Sequence, residues 1–152
     1  MSRKICLISS TGGHYAQLKE VMSMVKKFEY FVVTERSKMT EMASERIYYL
    51  RQQERSNISI FLNLFINFCI SLYILLRERP KIIISTGAGA VLPLCIFGRL
   101  MGAKLIFIES FAKVSTPTMT GKILYRISNR FYVQWEDMEK VYPKALYRGA
   151  LY

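Results

Sequence analysis

Residues 81–93 read Lys-Ile-Ile-Ile-Ser-Thr-Gly-Ala-Gly-Ala-Val-Leu-Pro (KIIISTGAGAVLP). The run Lys81–Ser85 has a continuous apolar, β-branched core, the pattern of a parallel strand covered on both faces. It passes into a loop of small residues, Thr86–Ala90, and a helix opens at about Val91, with Gly102 placed to end it. Strand, small-residue loop and helix form the repeating unit of a parallel α/β sheet. The start of the chain repeats it. Lys4–Ser9 (KICLIS) is a strand and Ser10–Gly13 a loop. Leu18, Val21, Met22, Val25 and Phe28 then follow at helical spacing, opposite Lys19, Glu20, Lys26 and Lys27.

Working outward, Tyr30–Thr34, Ile47–Leu50, Lys104–Ile108 and Arg130–Gln134 supply further strands. Helices are expected over Lys38–Glu45, within 116–129 and over Trp135–Val141. Arg51–Asn57 is a polar connection in which Ser56 or Asn57 caps a long helix that Pro80 stops. The expected fold is therefore α/β, a Rossmann-like doubly wound parallel sheet of about six strands. Ligands of such sheets bind beyond the carboxyl ends of the strands, and both small-residue loops lie at that edge.

With 152 residues, one domain spanning 1–152 is expected. That length is too short for an enzyme that closes two full lobes over its substrate. Hydrophobic residues make up 51% and charged residues 22%, which excludes a disordered chain. The net charge is +11, of which residues 77–152 supply +7. Such a balance suits anionic lipid or phosphate-bearing partners. No arginine-rich run or aromatic RNA-binding signature is present, so nucleic acid is not expected. Cys6, Cys69 and Cys95 lie far apart without a CxxC, so buried reduced thiols are expected, with no metal site and no cofactor. The start, MSRKICLISS, lacks the apolar core and cleavage site of a signal peptide, so the chain is expected to stay on the cytoplasmic side.

Three segments carry candidate chemistry. Ser10, Thr11, Gly12, Gly13 and His14 combine hydroxyls, an anion-suited helix N-terminus and the sole histidine. They match neither GxGxxG nor the Walker loop, and a tight turn with a capping histidine fits them too. Thr86, Gly87 and Gly89 form the second loop, which close helix–strand packing would equally demand. Glu109 and Ser110 follow the Lys104–Ile108 strand. The carboxylate there is expected to face the cleft as a base or sugar ligand, with capping of the next loop as the other reading.

A fourth segment, Ile58–Leu76 (ISIFLNLFINFCISLYILL), runs for 19 residues without a charge. That length satisfies a membrane span. Ser59, Asn63, Asn67 and Ser71 recur every four residues as a polar stripe, and Arg51, Arg55, Arg77, Arg79 and Lys81 flank the run. A span here would put the two halves of one sheet on opposite sides of the membrane and leave backbone unpaired in lipid, so it is rejected. A helix apolar nearly all round, with basic ends, fits an interfacial helix on an anionic membrane surface. A fifth run, Phe131–Glu136 (FYVQWE), is aromatic and serves either an interface or the closing of the core.

The motifs STGGH, STGAGAVLP and IES, in this order and spacing, resemble the acceptor-side N-terminal half of GT-B glycosyltransferases. The nearest likeness is to the membrane-anchoring subunits of two-component UDP-sugar transferases, relatives of MurG-type enzymes. The resemblance implies a subunit in lipid-linked oligosaccharide, capsule or exopolysaccharide biosynthesis, peripheral on the cytoplasmic face of the membrane. It would recruit a donor-binding glycosyltransferase subunit as a heteromer and bind a polyprenyl-pyrophosphate-linked sugar acceptor, with the UDP-sugar held mostly by the partner. Such a chain is expected to be inactive alone and part of an inverting transferase. By motif, Gly12, Gly13 and His14 would line the acceptor pyrophosphate and the reaction centre, with Thr86, Gly87 and Gly89 around the same site. Glu109 and Ser110 match the acidic motif. His14 or Glu109 would deprotonate the acceptor hydroxyl or only position it. Eukaryotic members carry an N-terminal membrane helix that has no counterpart here, which makes residues 58–76 the expected lipid contact. A stand-alone nucleotide-binding Rossmann module, with Glu35 at the ribose-binding position, and a purely structural membrane adaptor are the alternatives.

Overall fold

The computed structural model describes residues 4–41, 46–52 and 57–152. In chain order the elements are β1 (Ile5–Ser9), α1 (Gly13–Val25), β2 (Tyr30–Glu35), α2 (Lys38–Glu41), β3 (Ile47–Leu50) and α3 (Asn57–Glu78). They continue with β4 (Ile82–Gly87), a 3-10 turn (Gly89–Val91), α4 (Leu92–Leu100), β5 (Lys104–Ile108), α5 (Met119–Tyr125), β6 (Arg130–Val133), α6 (Met138–Val141) and β7 (Leu146–Tyr147). The strands form one sheet in the order β3-β2-β1-β4-β5-β6-β7, and every pair is parallel. This is a Rossmann-like order, and the chain reverses direction across the sheet between β1 and β4.

The central strands explain the unbroken apolar runs. Ile5, Cys6, Leu7 and Ile8 of β1 lie beside Tyr30–Val33 of β2 on one side and Ile82–Ser85 of β4 on the other. Side chains alternate between two cores, so every residue needs an apolar neighbour. Cys6, Ile8, Phe31, Val33, Ile83, Leu105 and Phe107 join the core under α3, α4, α5 and α6. Ile5, Leu7, Val32, Ile84 and Ile108 join the core under α1, built on Tyr15, Leu18, Val21, Met22 and Val25.

Several boundaries differ from the expectations. A seventh strand, Leu146–Tyr147, extends the sheet beyond the six expected, and two residues are too few to show alternation. Phe28 lies past the end of α1 and is exposed. α2 ends at Glu41, and residues 42–45 of the expected helix lie outside the described residues. The expected cap at Ser56 or the Asn57 side chain also falls outside them. α5 is only seven residues long and is capped by Thr118, whose Oγ1 accepts from Gly121 N. Cys6 and Cys95 are buried, whereas Cys69 is exposed on α3, contrary to expectation. The aromatic run closes the core: Phe131 and Val133 are buried, and Trp135 packs on Phe111.

α3 is turned inside out along its first half. Asn63, Asn67 and Ser71 are buried, while Phe61, Leu62, Leu64 and Phe65 are exposed. Asn67 explains the inversion: its Oδ1 accepts from Arg51 N at 2.8 Å and its Nδ2 donates to Arg51 O at 3.0 Å, so the carboxamide takes the place of a backbone partner after β3. The polar stripe thus holds the connection, and apolar residues face outward. Residues 60–78 have a mean hydropathy of 1.9 and are 28% buried, yet the ends of α3 feed β3 and β4 of the same sheet.

Glu78, at the end of α3, is nearly fully buried and ties three elements together. It accepts from Lys4 Nζ at 3.0 Å and from Tyr48 Oη, and pairs with Arg46 Nη2 at 2.6 Å. Burial opposes its ionisation, but the hydrogen bonds from Tyr48 and Lys4 and the Lys4 and Arg46 charges overcome it, leaving the carboxyl below its ordinary range. Its stabilising contribution is therefore complete above the unfolded carboxyl's pKa of about 4.3 and is lost as pH falls through the lower folded value. Glu78→Gln should cost about 2 kcal/mol at neutral pH. Urea titrations from pH 7 to pH 3 should show a shallower acid loss for the variant than for the parent.

Candidate functional site

The two small-residue loops meet at the carboxyl ends of β1 and β4. Ser10 N donates to Gly87 O at 3.2 Å, and the register slips between Ile8 and Ser9 so that Ser9 pairs with Gly87. This slip brings the Ser10–His14 loop against the Thr86–Gly89 loop.

A reciprocal pair of bonds locks them. Thr86 Oγ1 donates to His14 O at 2.7 Å, and His14 Nδ1 lies 2.8 Å from Thr86 O. A carbonyl only accepts, so Nδ1 carries the hydrogen and Nε2 of the neutral ring keeps its lone pair. That is the tautomer a proton acceptor needs. Thr86 is fully buried, while His14 is partly exposed beside the open surface over Gly12 and Gly13. α1, thirteen residues long, starts there at Gly13, and Gly12 before it makes no side-chain cap.

Gly87 has φ +109°, and a Cβ there would stand 3.3 Å from His14 Nδ1. A side chain at this position would both strain the backbone and push the imidazole. The next residue, Ala88, adopts φ 79°, ψ 164°, a region that belongs almost wholly to glycine. Strain is thus held in the loop that positions His14. Ala88→Gly should relieve it, raising stability by about 1 kcal/mol after the added freedom of the unfolded chain is subtracted. A rise in melting temperature of about 3 °C would show this.

Thr11 is fixed from the β2 side. Glu35 Oε2 accepts from Thr11 N at 3.2 Å and from Thr11 Oγ1 at 3.3 Å. Glu35 is buried at the end of β2, the position of a ribose-binding acid in dinucleotide folds, and here it braces the loop instead. Ser10 is also buried, its Oγ 3.5 Å from Thr11 O. Gly89 begins the 3-10 turn that leads into α4.

Glu109 corrects an expectation. Its side chain is 1% exposed and faces α5 and α6 rather than the cleft. Oε1 accepts from Ser110 N and Thr118 Oγ1 at 2.9 Å each; Oε2 accepts from Thr118 N at 3.2 Å and Tyr142 Oη at 2.9 Å. Burial, then the adjacent Glu109 charge, push the Tyr142 phenol far up, so it remains the donor. The carboxylate holds the loop before α5 and has no acceptor capacity directed at the cleft. Ser110 is buried, and its Oγ accepts from Ala112 N at 3.3 Å.

Sequence reasoning missed two buried glutamines. Gln17 Oε1 accepts from Phe111 N at 3.3 Å and from Gln134 Nε2 at 2.5 Å. Gln134 Nε2 also donates to Glu109 O, and its Oε1 accepts from Leu151 N. Together they pin the β5 loop and the chain end to α1. The signal was present in Gln17, a polar residue next to Leu18 and one turn before Val21 on the apolar stripe.

Residues 20–151 match the family described as "Oligosaccharide biosynthesis protein Alg14 like". The chain is 22% identical to the UDP-N-acetylglucosamine transferase subunit ALG14 of Mus musculus, covering 99% of this chain and 83% of that protein. It is 28% identical to the ALG14 subunit of Candida albicans, over 97% of this chain and 78% of the relative. Among solved structures, MurG of Acinetobacter baumannii superposes with a TM-score of 0.74 at 13% identity, over 89% of this chain and 42% of MurG. The UDP-N-acetylglucosamine 2-epimerase of Rickettsia bellii gives 0.77 at 11% identity, over 99% and 46%. The chain thus spans less than half the length of these solved structures, and the likeness to them is one of fold.

Proposed function

The chain belongs to the Alg14-like family of oligosaccharide biosynthesis proteins, and on that premise we propose that residues 1–152 form the acceptor-side half domain of a split, inverting UDP-sugar glycosyltransferase. It binds a polyprenyl-pyrophosphate-linked sugar in lipid-linked oligosaccharide, capsule or exopolysaccharide biosynthesis. A separate donor-binding subunit, recruited by this chain, holds most of the UDP-sugar. The observation that carries this is the His14–Thr86 lock, which joins both loops at the switch point and leaves His14 Nε2 as an acceptor at the start of α1.

The acceptor pyrophosphate lies along Ser10, Thr11, Gly12 and Gly13 at the N-terminus of α1, where backbone donors and the helix dipole favour negative charge. Thr86, Gly87, Gly89 and Ser110 close the opposite wall. The acceptor hydroxyl attacks the anomeric carbon of the sugar as the bond to UDP breaks. Its proton passes to His14 Nε2, and UDP leaves with the bonding electrons. Glu109 supports the loop and takes no proton.

The outward apolar face of α3 supports peripheral attachment to the cytoplasmic face of an anionic membrane, with Arg77 and Arg79 at its end. Phe61 and Phe65 are exposed, so Phe61→Ser/Phe65→Ser should fold normally. At about 1.5 kcal/mol lost per phenyl, flotation with phosphatidylglycerol vesicles should weaken roughly 100-fold. Reconstitution tests the whole proposal. The chain and a donor-binding subunit together should transfer sugar from a UDP-sugar to a polyprenyl-pyrophosphate acceptor. Full transfer by either protein alone would refute it.

A further inference from the structure

Much of the positive charge lies at the end of the sheet remote from His14. Lys4 and Lys81 precede β1 and β4, Lys104 and Arg130 open β5 and β6, and Lys144 stands just before β7. A cavity of about 590 Å³ opens at this edge, lined by Arg126, Arg130 and Lys144 together with Ser128, Asn129 and the Tyr125 ring. A depression of about 280 Å³ adjoins it, sharing Asn129 and Arg130 and adding Lys104. No carboxylate lines either hollow, and among the described residues none of these four cations makes an ion pair. Around α6, Asp137 pairs with Lys140, and Glu139 accepts from Tyr147 N.

The cations are held by a braced loop and not by a loose one. Leu124 O accepts from Ser128 N and Ser128 Oγ, and Ile127 O accepts from Arg99 Nε at 3.1 Å. Asn129 N donates to Leu105 O while Asn129 Oδ1 accepts from Leu105 N. Tyr125 Oη accepts from Lys144 N at 2.8 Å. Ser128 therefore takes up the Leu124 carbonyl at the end of α5, and among the described residues no α5 carbonyl accepts from the Arg126 guanidinium. Like charges gathered round a hollow repel one another unless an anion sits among them. Arginine forks match the oxygens of a phosphate, and lysines add point charge.

We propose that this amino-edge cavity binds a phosphate group, borne by a lipid headgroup or by a free phosphorylated solute, at a site separate from the glycine loops. The test uses the full chain and the variant Arg126→Ala/Arg130→Ala/Lys144→Ala. Lys19→Ala/Lys38→Ala/Arg148→Ala serves as a control of equal charge loss. Inorganic pyrophosphate is titrated by calorimetry, and cosedimentation is measured with phosphatidylcholine vesicles with and without phosphatidylglycerol. A headgroup source predicts that the cavity variant binds the anionic vesicles roughly 100-fold more weakly than the parent, well beyond the control, with its pyrophosphate heat unchanged from the parent. A free-solute source predicts pyrophosphate binding that the cavity variant weakens at least about tenfold, with vesicle binding unchanged relative to the control. Equal behaviour of the two variants in both arms would overturn the proposal. The site lies at the opposite edge from the transfer chemistry, so neither result depends on that chemistry being correct.

Discussion

His14→Ala is expected to lower transfer by the reconstituted complex about 100- to 10,000-fold, the range for removal of a positioned general base. The expectation rests on the Thr86 carbonyl, which consumes the Nδ1 hydrogen and leaves Nε2 as the acceptor. Loss of the imidazole also removes one hydrogen bond, a cost of about 1 kcal/mol, so the fold should survive and a thermal melt should show only a small shift. His14→Gln keeps polar contact with the Thr86 carbonyl but supplies no base at the Nε2 position. It should be as inactive as the alanine variant with a melt closer to the parent. Parental rates for both variants would remove His14 from the chemistry.

Glu109→Ala is expected to act on the fold. The carboxylate is buried and is the acceptor for Ser110 N, Thr118 N, Thr118 Oγ1 and Tyr142 Oη. Removing it strands several buried donors at once, at a cost of about 3–5 kcal/mol. In a domain of this size the melting temperature should fall by about 10 °C. Gly121→Ala attacks the same network from the helix side. A Cβ there would overlap Glu109 Oε2 and come within 2.6 Å of Tyr142 Oη, so α5 must move away from β5. Glu109→Gln separates positioning from base catalysis: below its own melting transition it should still support transfer, whereas a true base would lose activity without losing stability.

The sheet was legible because parallel strands covered on both faces must be apolar throughout. KICLIS and KIIIS could be read as strands without further context, and the small-residue loops after them marked the carboxyl edge, although β4 runs on through Thr86 to Gly87. The helices over α1 and α3 were legible by spacing and by an uncharged run. Orientation was harder. The four-residue spacing marks Asn63, Asn67 and Ser71 as one stripe without saying which way it faces, and Asn67 is needed inside to satisfy the Arg51 backbone. Only the tertiary path of residues 51–52 reveals that need. Glu109 misled for a related reason. A carboxylate after a strand end can face either side of the sheet, and Thr118 and Tyr142, 9 and 33 residues further on, decide which. β7 escaped notice because two residues carry no period. The +11 charge was read as one attraction to anions. The fold divides it, gathering Arg126, Arg130 and Lys144 at the amino edge.

Histidine occurs once in the chain, so its imidazole gives a single set of NMR signals and a direct test of the acceptor-side assignment. A short-chain polyprenyl-pyrophosphate sugar and, separately, a UDP-sugar would be titrated into the isolated protein while the His14 ring signals are followed. The acceptor analogue should shift the Nε2 and Cε1 resonances in a saturable way, and the UDP-sugar should leave them in place until the donor-binding subunit is added. Saturable shifts with the UDP-sugar alone, and none with the acceptor analogue, would contradict the assignment of this chain to the acceptor side.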